Sequence, residues 1–343
     1  MRSIITKSVA VLAMAASVLV AAPAAQAGET VNGKGSSFAN NFMQKCAREF
    51  NSATGNTVAY TSTGSSTGLS QYKAGAVEFA ATDVPWASGS APSQAFTYVP
   101  VTSGPVAIGF NVSGVKTLKL DPKTLAAIFK GTITKWDDPA IKKLNKSAPK
   151  GKLKGNITVV YRDGSGTTAN VQDYLNQTVG GFTASNANKN WDGAKGALAS
   201  TSAVMVSTIA STPGAIGYAD LADVTVKLKY VSLKNAKGAY VKPTAAAAKK
   251  FISAQADPGK NGIVTINFKK KVTGGYNLSI LTYLVIPKGA SPGTYDAAKA
   301  GVVSDFAEYA VVTCGKKPAA GYAGFSSKSK LYQRALSNAR SGF

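Results

Sequence analysis

The sequence predicts an α/β protein of two domains made from interleaved segments, and three observations carry that prediction. Short runs of strand formers alternate with stretches of helical periodicity along the chain. Apolar residues make up 45% of the sequence, enough for a sizeable core and too many for a wholly disordered chain. The 343 residues correspond to about two domains, yet no fixed-period repeat and no long linker divides them, so the two must share segments of chain.

The first 27 residues stand outside the expected fold. Arg2 and Lys7 give a charged start, residues 9–20 form a short Ala-rich apolar run, and Ala25-Gln26-Ala27 has the pattern of an export cleavage site. The run is too short for a bilayer span, and Pro23 follows it. The mature chain is expected to begin near Gly28, with no cysteine at the junction to carry a lipid anchor. No later stretch approaches the ~18 apolar residues of a spanning helix. These features predict a secreted or periplasmic protein without a membrane span.

Residues 40–51 read as an amphipathic helix with Phe42, Cys46 and Phe50 on one face. Residues 57–61 (TVAYT) read as a strand, as do 106–112 and 157–161. Residues 122–129 predict a helix with Asp121 as its N-cap and Pro122 in the first position, where a missing N–H costs nothing. Residues 171–176 and 245–254 are helical in pattern, and 282–286 is a further run of strand formers.

Composition excludes several function classes. There is no His, which removes Ser-His and Cys-His nucleophile pairs and His-ligated metals. Two cysteines cannot build a zinc site, but Cys46 and Cys314 can form one bridge in an oxidising compartment; the alternative is two buried thiols. Lys and Arg number 39 against 16 Asp and Glu; without Arg2 and Lys7 the net charge is +21. Nearly all of the excess is Lys in Gly-, Pro- and Ala-rich connectors, without interleaved Arg and aromatics. That pattern reads as a solvated cationic surface, with attraction for anionic solutes or an anionic envelope as its functional side, and not as a nucleic-acid groove.

Three Gly/Ser/Thr-rich loops carry the candidate chemistry: Gly33-Lys34-Gly35-Ser36-Ser37-Phe38, Thr63-Gly64-Ser65-Ser66-Thr67-Gly68 and Asp163-Gly164-Ser165-Gly166-Thr167-Thr168. Each sits where a strand hands over to a helix. A helix N-terminus leaves backbone N–H groups unpaired and partly positive, glycine lets a ligand approach, and small hydroxyls add donors. Together the loops could form a cage for a small oxyanion. Residues 28–34 fit G-x-x-x-x-G-K, but Gly35 follows and no strand is expected before it, so a P-loop is not inferred. Asp83 ends the apolar run 79–82 and is either a turn cap before Pro85 or an acceptor for a protonated oxyanion. Arg162, the only Arg between positions 48 and 334, is either solvated or a charged fork on the anion.

At these residues the chain resembles the phosphate-binding proteins of bacterial ABC phosphate importers (PstS type), over nearly the whole mature sequence. The resemblance rests on residues 33–38, 60–68, the F-x-A-[ST]-D-x-P stretch 79–85, the run GTITKWDDPAI at 131–141, the loop 163–167 and GAIGY at 214–218. It implies a two-domain periplasmic-binding-protein-like fold of type II that closes on inorganic phosphate. Lobe I would comprise residues 28–108 plus 283–343 and lobe II residues 109–282, with crossing strands 106–112 and 282–286 as the hinge. Carried over by motif, Ser37 and Phe38 bind through hydroxyl and N–H, and Ser65 through both. Asp83 accepts the anion's proton, and Ser165, Gly166 and Thr167 close the cage. The family places Arg two residues before the loop Asp, where this chain has Tyr161. Arg162 is shifted by one, so it reaches the anion by a local bend or turns to the other face and misses it. The implied partners are phosphate and an ABC-type permease, with no catalytic residue, cofactor, metal or nucleic acid. Two other classes stay open here: a His-independent phosphatase, and an envelope or matrix protein of the same fold with weak or altered oxyanion binding.

Overall fold

The computed structural model describes residues 28–183, 189–288 and 296–342; the expected export signal, residues 1–27, lies outside them. The chain runs β1 (Thr30–Gly35), α1 (Asn40–Thr54), β2 (Thr57–Ser62), α2 (Ser65–Lys73), β3 (Phe79–Thr82) and β4 (Phe96–Phe110). It continues with β5 (Leu118–Leu120), α3 (Pro122–Phe129), α4 (Pro139–Leu144), β6 (Thr158–Tyr161), α5 (Gly166–Thr178), β7 (Ala197–Leu198) and α6 (Ser202–Ser211). Then follow β8 (Ala215–Asp220), α7 (Leu221–Lys227), β9 (Lys229–Lys234), β10 (Tyr240–Val241), α8 (Ala245–Ser253), β11 (Ser279–Pro287), α9 (Ala297–Tyr309) and α10 (Lys330–Arg340). The α/β class read from the sequence is the observed one.

The sheet runs β2-β1-β3-β11-β4-β8-β6-β7, with β9 beside the end of β4. β1 is parallel to β2 and β3, and β6 is parallel to β8. Two long strands join these parallel groups. β4 pairs antiparallel with β11 over Phe96 to Pro105 and with β8 from Val106 to Phe110. β11 bridges β3 to β4, also antiparallel. The single strand β4 therefore belongs to both halves of the sheet. Helices cover its faces, and the buried core is continuous.

α1 buries Phe42, Met43, Cys46, Ala47 and Phe50, the stripe its spacing predicts, and ends at Gly55. Gly55 holds a φ of 77°, a left-handed turn that glycine adopts without strain, and its N–H closes on Asn51 O. α3 has the bounds read from its pattern, with Asp121 accepting from the Thr124 N–H at 2.8 Å. The KWDDPAI run explains itself in packing. Asp138 caps α4, Pro139 opens it, and fully buried Trp136 donates from Nε1 to Gly214 O at 2.9 Å, joining two of the sequence landmarks.

Three expectations need correction. The strand expected at 106–112 is the second half of β4, which begins at Phe96 and stops at Phe110. Pro100 and Pro105 hide its first half, because Pro normally argues against a central strand. The register skips a residue between Thr282 and Tyr283, which pair with Thr102 and Pro100, and this bulge accommodates the proline. The helix expected at 171–176 begins at Gly166; Gly and Thr have low helix propensity, but Ser165 caps it by accepting from the Thr168 N–H at 3.2 Å. The first loop is shorter than expected: Gly33, Lys34 and Gly35 belong to β1, paired on both sides, and the loop itself starts at Ser36.

Cys46 and Cys314 form a disulfide with Cα atoms 5.6 Å apart, across 268 residues of sequence. It ties α1 to the turn following α9, and both cysteines are buried. Alkylation of the unreduced native protein should therefore find no free thiol. The Cys46→Ala/Cys314→Ala double variant should lose roughly 2–5 kcal/mol of stability, the upper part of the disulfide range, because the closed loop is long. Two alkylatable thiols in the native protein would contradict the pairing.

Candidate functional site

Strand ends and helix starts meet at the middle of the sheet. Ser36, Ser37 and Phe38 follow β1; Ser65 opens α2; Asp83 follows β3; Arg162 follows β6; Ser165, Gly166 and Thr167 open α5. All are buried, and the structure brings all eight residues singled out in the sequence, Ser37, Phe38, Ser65, Asp83, Arg162, Ser165, Gly166 and Thr167, into one cluster.

The elements interlock closely. The Ser66 N–H donates to Gly164 O at 3.0 Å, so the second and third loops touch. Asn170 on α5 donates from Nδ2 to Asp83 O at 2.9 Å. An added Cβ on Gly166 would sit 2.5 Å from Ser65 Oγ and 3.0 Å from Asp83 N and Cβ, so only glycine fits here. The Phe38 carbonyl accepts from the Tyr322 hydroxyl and the Ser36 carbonyl from the Tyr60 hydroxyl, which fixes the first loop from behind.

Asp83 is not a turn cap. Its Oδ1 accepts from Ser36 Oγ at 2.6 Å and Thr282 Oγ1 at 2.7 Å; its Oδ2 accepts from Thr167 Oγ1 at 3.2 Å. A carboxylate oxygen has about two acceptor positions, so Oδ1 is saturated and Oδ2 keeps one open. Burial pushes the Asp83 carboxyl above the ordinary carboxylate value, opposed by the three hydroxyl donors and by the charge of Arg162.

Arg162 is 1% exposed. The one-residue shift does not turn it away from the cluster, because β6 ends at Tyr161 and strand alternation no longer applies. Tyr161 instead lies under Lys195, whose Nζ is 4.6 Å from the ring centroid. The Arg162 guanidinium donates from Nη1 to Ser202 Oγ and from Nη2 to Ser200 O, each at a long 3.4 Å, while Nε has no partner. Among the described residues the ion pairs are Lys45–Glu49, Lys130–Asp192, Lys299–Glu78, Lys330–Asp257 and Arg340–Glu308; Arg162 is in none of them. Burial lowers its pKa, and Tyr218, Asp83 and Asp220 act against that shift. Asp220 is itself buried, and burial and Asp223 raise its carboxyl well above the ordinary value.

Sequence reasoning missed Ser36, Asn170, Ser202 and Thr282. Ser36 adjoins Ser37 in the quoted loop, and only the fold decides which one faces Asp83. Thr282 had a signal: it is a hydroxyl inside the otherwise apolar run ILTYLVI, where a buried polar group needs a partner. Ser202 lies in Ser200-Thr201-Ser202, a fourth hydroxyl-rich strand-to-helix junction, without the glycine that marked the others.

Known proteins fit this arrangement. The profile of the PBP superfamily domain matches residues 20–312. A phosphate-binding protein PstS of Xylella fastidiosa is 30% identical over 290 residues, covering 80% of this chain and 76% of that protein. Phosphate-binding protein PstS 3 of Mycobacterium tuberculosis is 36% identical over 200 residues, covering 55% of this chain; the match spans 53% of that protein's length, about half. Among solved structures, a high-affinity periplasmic phosphate-binding protein bound with phosphate superposes with a TM-score of 0.68 at 20% identity, covering 92% of this chain and 98% of the other. A putative phosphate ABC transporter substrate-binding protein from Clostridium perfringens gives 0.58 at 18% identity, covering 84% and 96%. At those identities the two likenesses establish the two-domain fold alone. The sequence matches go further, and with the profile they settle kinship: the chain belongs to the PBP superfamily and, within it, to the PstS family of phosphate-binding proteins.

Proposed function

We propose that this is an exported solute-binding protein that captures inorganic phosphate between two lobes for import by an ABC-type permease, and that it catalyses no reaction. The observation that carries the reading is Arg162, a buried guanidinium outside every ion pair of the described residues and with an unpartnered Nε. A buried charge costs several kcal/mol unless an opposite charge faces it, and an oxyanion supplies both that charge and the missing acceptors. The N-termini of α2 and α5 beside it add backbone donors and positive potential.

In this reading lobe I is residues 28–108 plus 283–343 and contributes Ser37, Phe38, Ser65 and Asp83. Lobe II is residues 109–282 and contributes Arg162, Ser165, Gly166 and Thr167. β4 and β11, which holds the crossing run 282–286, are the hinge. Part of the second segment packs back onto the first lobe: Asp257 pairs with Lys330, and the Val264 N–H donates to the Tyr283 hydroxyl. The open acceptor position on Asp83 Oδ2 takes the proton that phosphate and arsenate retain near neutral pH. Residues 1–27 act as a cleaved leader, and the mature protein is secreted or periplasmic.

Calorimetry of the mature protein against phosphate, arsenate and sulfate tests the reading, alongside an assay for phosphate-ester turnover. Phosphate and arsenate should bind, sulfate should bind far more weakly, and no ester should be hydrolysed. No phosphate binding, or sulfate binding equal to it, would overturn it. Gly166→Ala should weaken phosphate by about 10–100-fold, the cost of overpacking where α5 meets Ser65 and Asp83. Its ligand-free melting temperature should hardly change, because the clash lies between lobes that can part. Unchanged affinity would mean that the contact in the structure does not form in the bound state.

A further inference from the structure

Ser200-Thr201-Ser202 forms a wall of the cluster that the motif residues do not include. Thr201 caps α6, accepting from the Val204 N–H at 3.2 Å, so Ser202 takes the first helical position and its N–H has no acceptor within the helix. That N–H donates to Ser37 Oγ at 3.1 Å, and the Oγ atoms of Ser202 and Ser37 lie 3.3 Å apart. Ser202 Oγ also accepts from Arg162 Nη1. Ser202 is 0% exposed, Arg162 1% and Ser37 2%.

The hydroxyl protons do not balance within the protein. Ser202 Oγ accepts from Arg162 and Ser37 Oγ accepts from the Ser202 N–H, while each hydroxyl has one proton to place. In the contact between them only one can donate. The other proton has no acceptor in this pair, and buried hydroxyls rarely go unpaired. Beside it, the Arg162 Nε–H is likewise without an acceptor. An anion oxygen between Ser37, Ser202 and Arg162 satisfies both.

We propose that Ser202 is a further ligand of the bound anion, donating its hydroxyl to the same oxygen that Arg162 holds, with the N-terminus of α6 behind it. This rests on the phosphate reading of the site and adds a fifth chain segment to the cage. Ser202 also steadies the guanidinium, so one side chain binds the anion and aims its main charge partner.

Calorimetry with inorganic phosphate on wild type, Ser202→Ala and Ser202→Thr tests this, with ligand-free melting temperatures measured in parallel. Ser202→Ala should bind phosphate about 10–100-fold more weakly, the loss of a hydrogen bond to a charged group, and dissociate correspondingly faster. Ser202→Thr keeps the hydroxyl and should stay within several-fold of wild type. Both ligand-free variants should melt with the wild type. Wild-type affinity in Ser202→Ala overturns the inference alone. Equal losses in Ala and Thr, or a loss matched by a lower ligand-free melting temperature, assign Ser202 to packing and also overturn it. A wild type that does not bind phosphate removes the phosphate reading and this inference together.

Discussion

Asp83→Asn is expected to lower phosphate affinity modestly and to raise sulfate affinity, so that a discrimination of about 10⁴–10⁵ collapses. The count of acceptor positions explains why. Oδ1 already receives Ser36 and Thr282, and Oδ2 receives Thr167, leaving one position. In the proposed site phosphate fills it with its own proton. Sulfate presents a bare oxygen, and two anionic groups are forced together in a dry cage. Asn keeps the shape, loses the charge and can turn its amide toward either anion. Lowering the pH should do the same to the wild type. Burial raises the Asp83 pKa, so protonation, which converts the acceptor to a donor, begins above the ordinary value of about 3.9. The phosphate-to-sulfate ratio should therefore fall with pH in wild type and show no such step in Asp83→Asn. The stability effect has a definite sign. A folded pKa above the unfolded one means that Asp83 favours folding most below the unfolded pKa, and this contribution is lost as pH rises through the folded pKa. Competition calorimetry across pH checks the selectivity. A ratio indifferent to both pH and the substitution would make Asp83 a purely structural acceptor.

Arg162→Met should move binding and stability in opposite directions. Phosphate affinity should fall by about 10²–10³-fold, the cost of removing one member of a desolvated charge pair. The ligand-free protein should melt higher, by ~2–4 °C for each kcal/mol gained, because Met fills much of the same space and removes a buried charge outside any ion pair. A structural arginine gives the reverse pattern, with a lower melting temperature and little change in affinity. Calorimetry and a melt of the ligand-free variant separate the two.

The sequence made much of this arrangement legible because its local signals are strong. Asp121 before Pro122 marks the start of α3, the Phe42–Cys46–Phe50 spacing marks α1, and two cysteines behind an export-type leader pattern point to one bridge. What stayed hidden depends on pairings distant in sequence. β4 is concealed by Pro100 and Pro105 until its long pairing with β11, with a bulge in β4 next to Pro100, is known. The direction of Arg162 is undecided by alternation because β6 ends one residue earlier, and Ser202, 40 residues on, then holds it. Thr282 meets Asp83 across a separation of 199 residues, and Ser202 meets Ser37 across 165. Local pattern identifies which loops are rich in donors. Only the sheet order β3-β11-β4-β8 decides which donors face one another.

The central claim is that Arg162 and Asp83 face one and the same anion. Diffraction from crystals of the mature protein grown with phosphate tests it most directly. The account predicts tetrahedral density enclosed between the two side chains, within hydrogen-bond distance of the Arg162 guanidinium and of Asp83 Oδ2. Phosphate bound only at surface lysines, with Arg162 paired to a protein carboxylate instead, would contradict it.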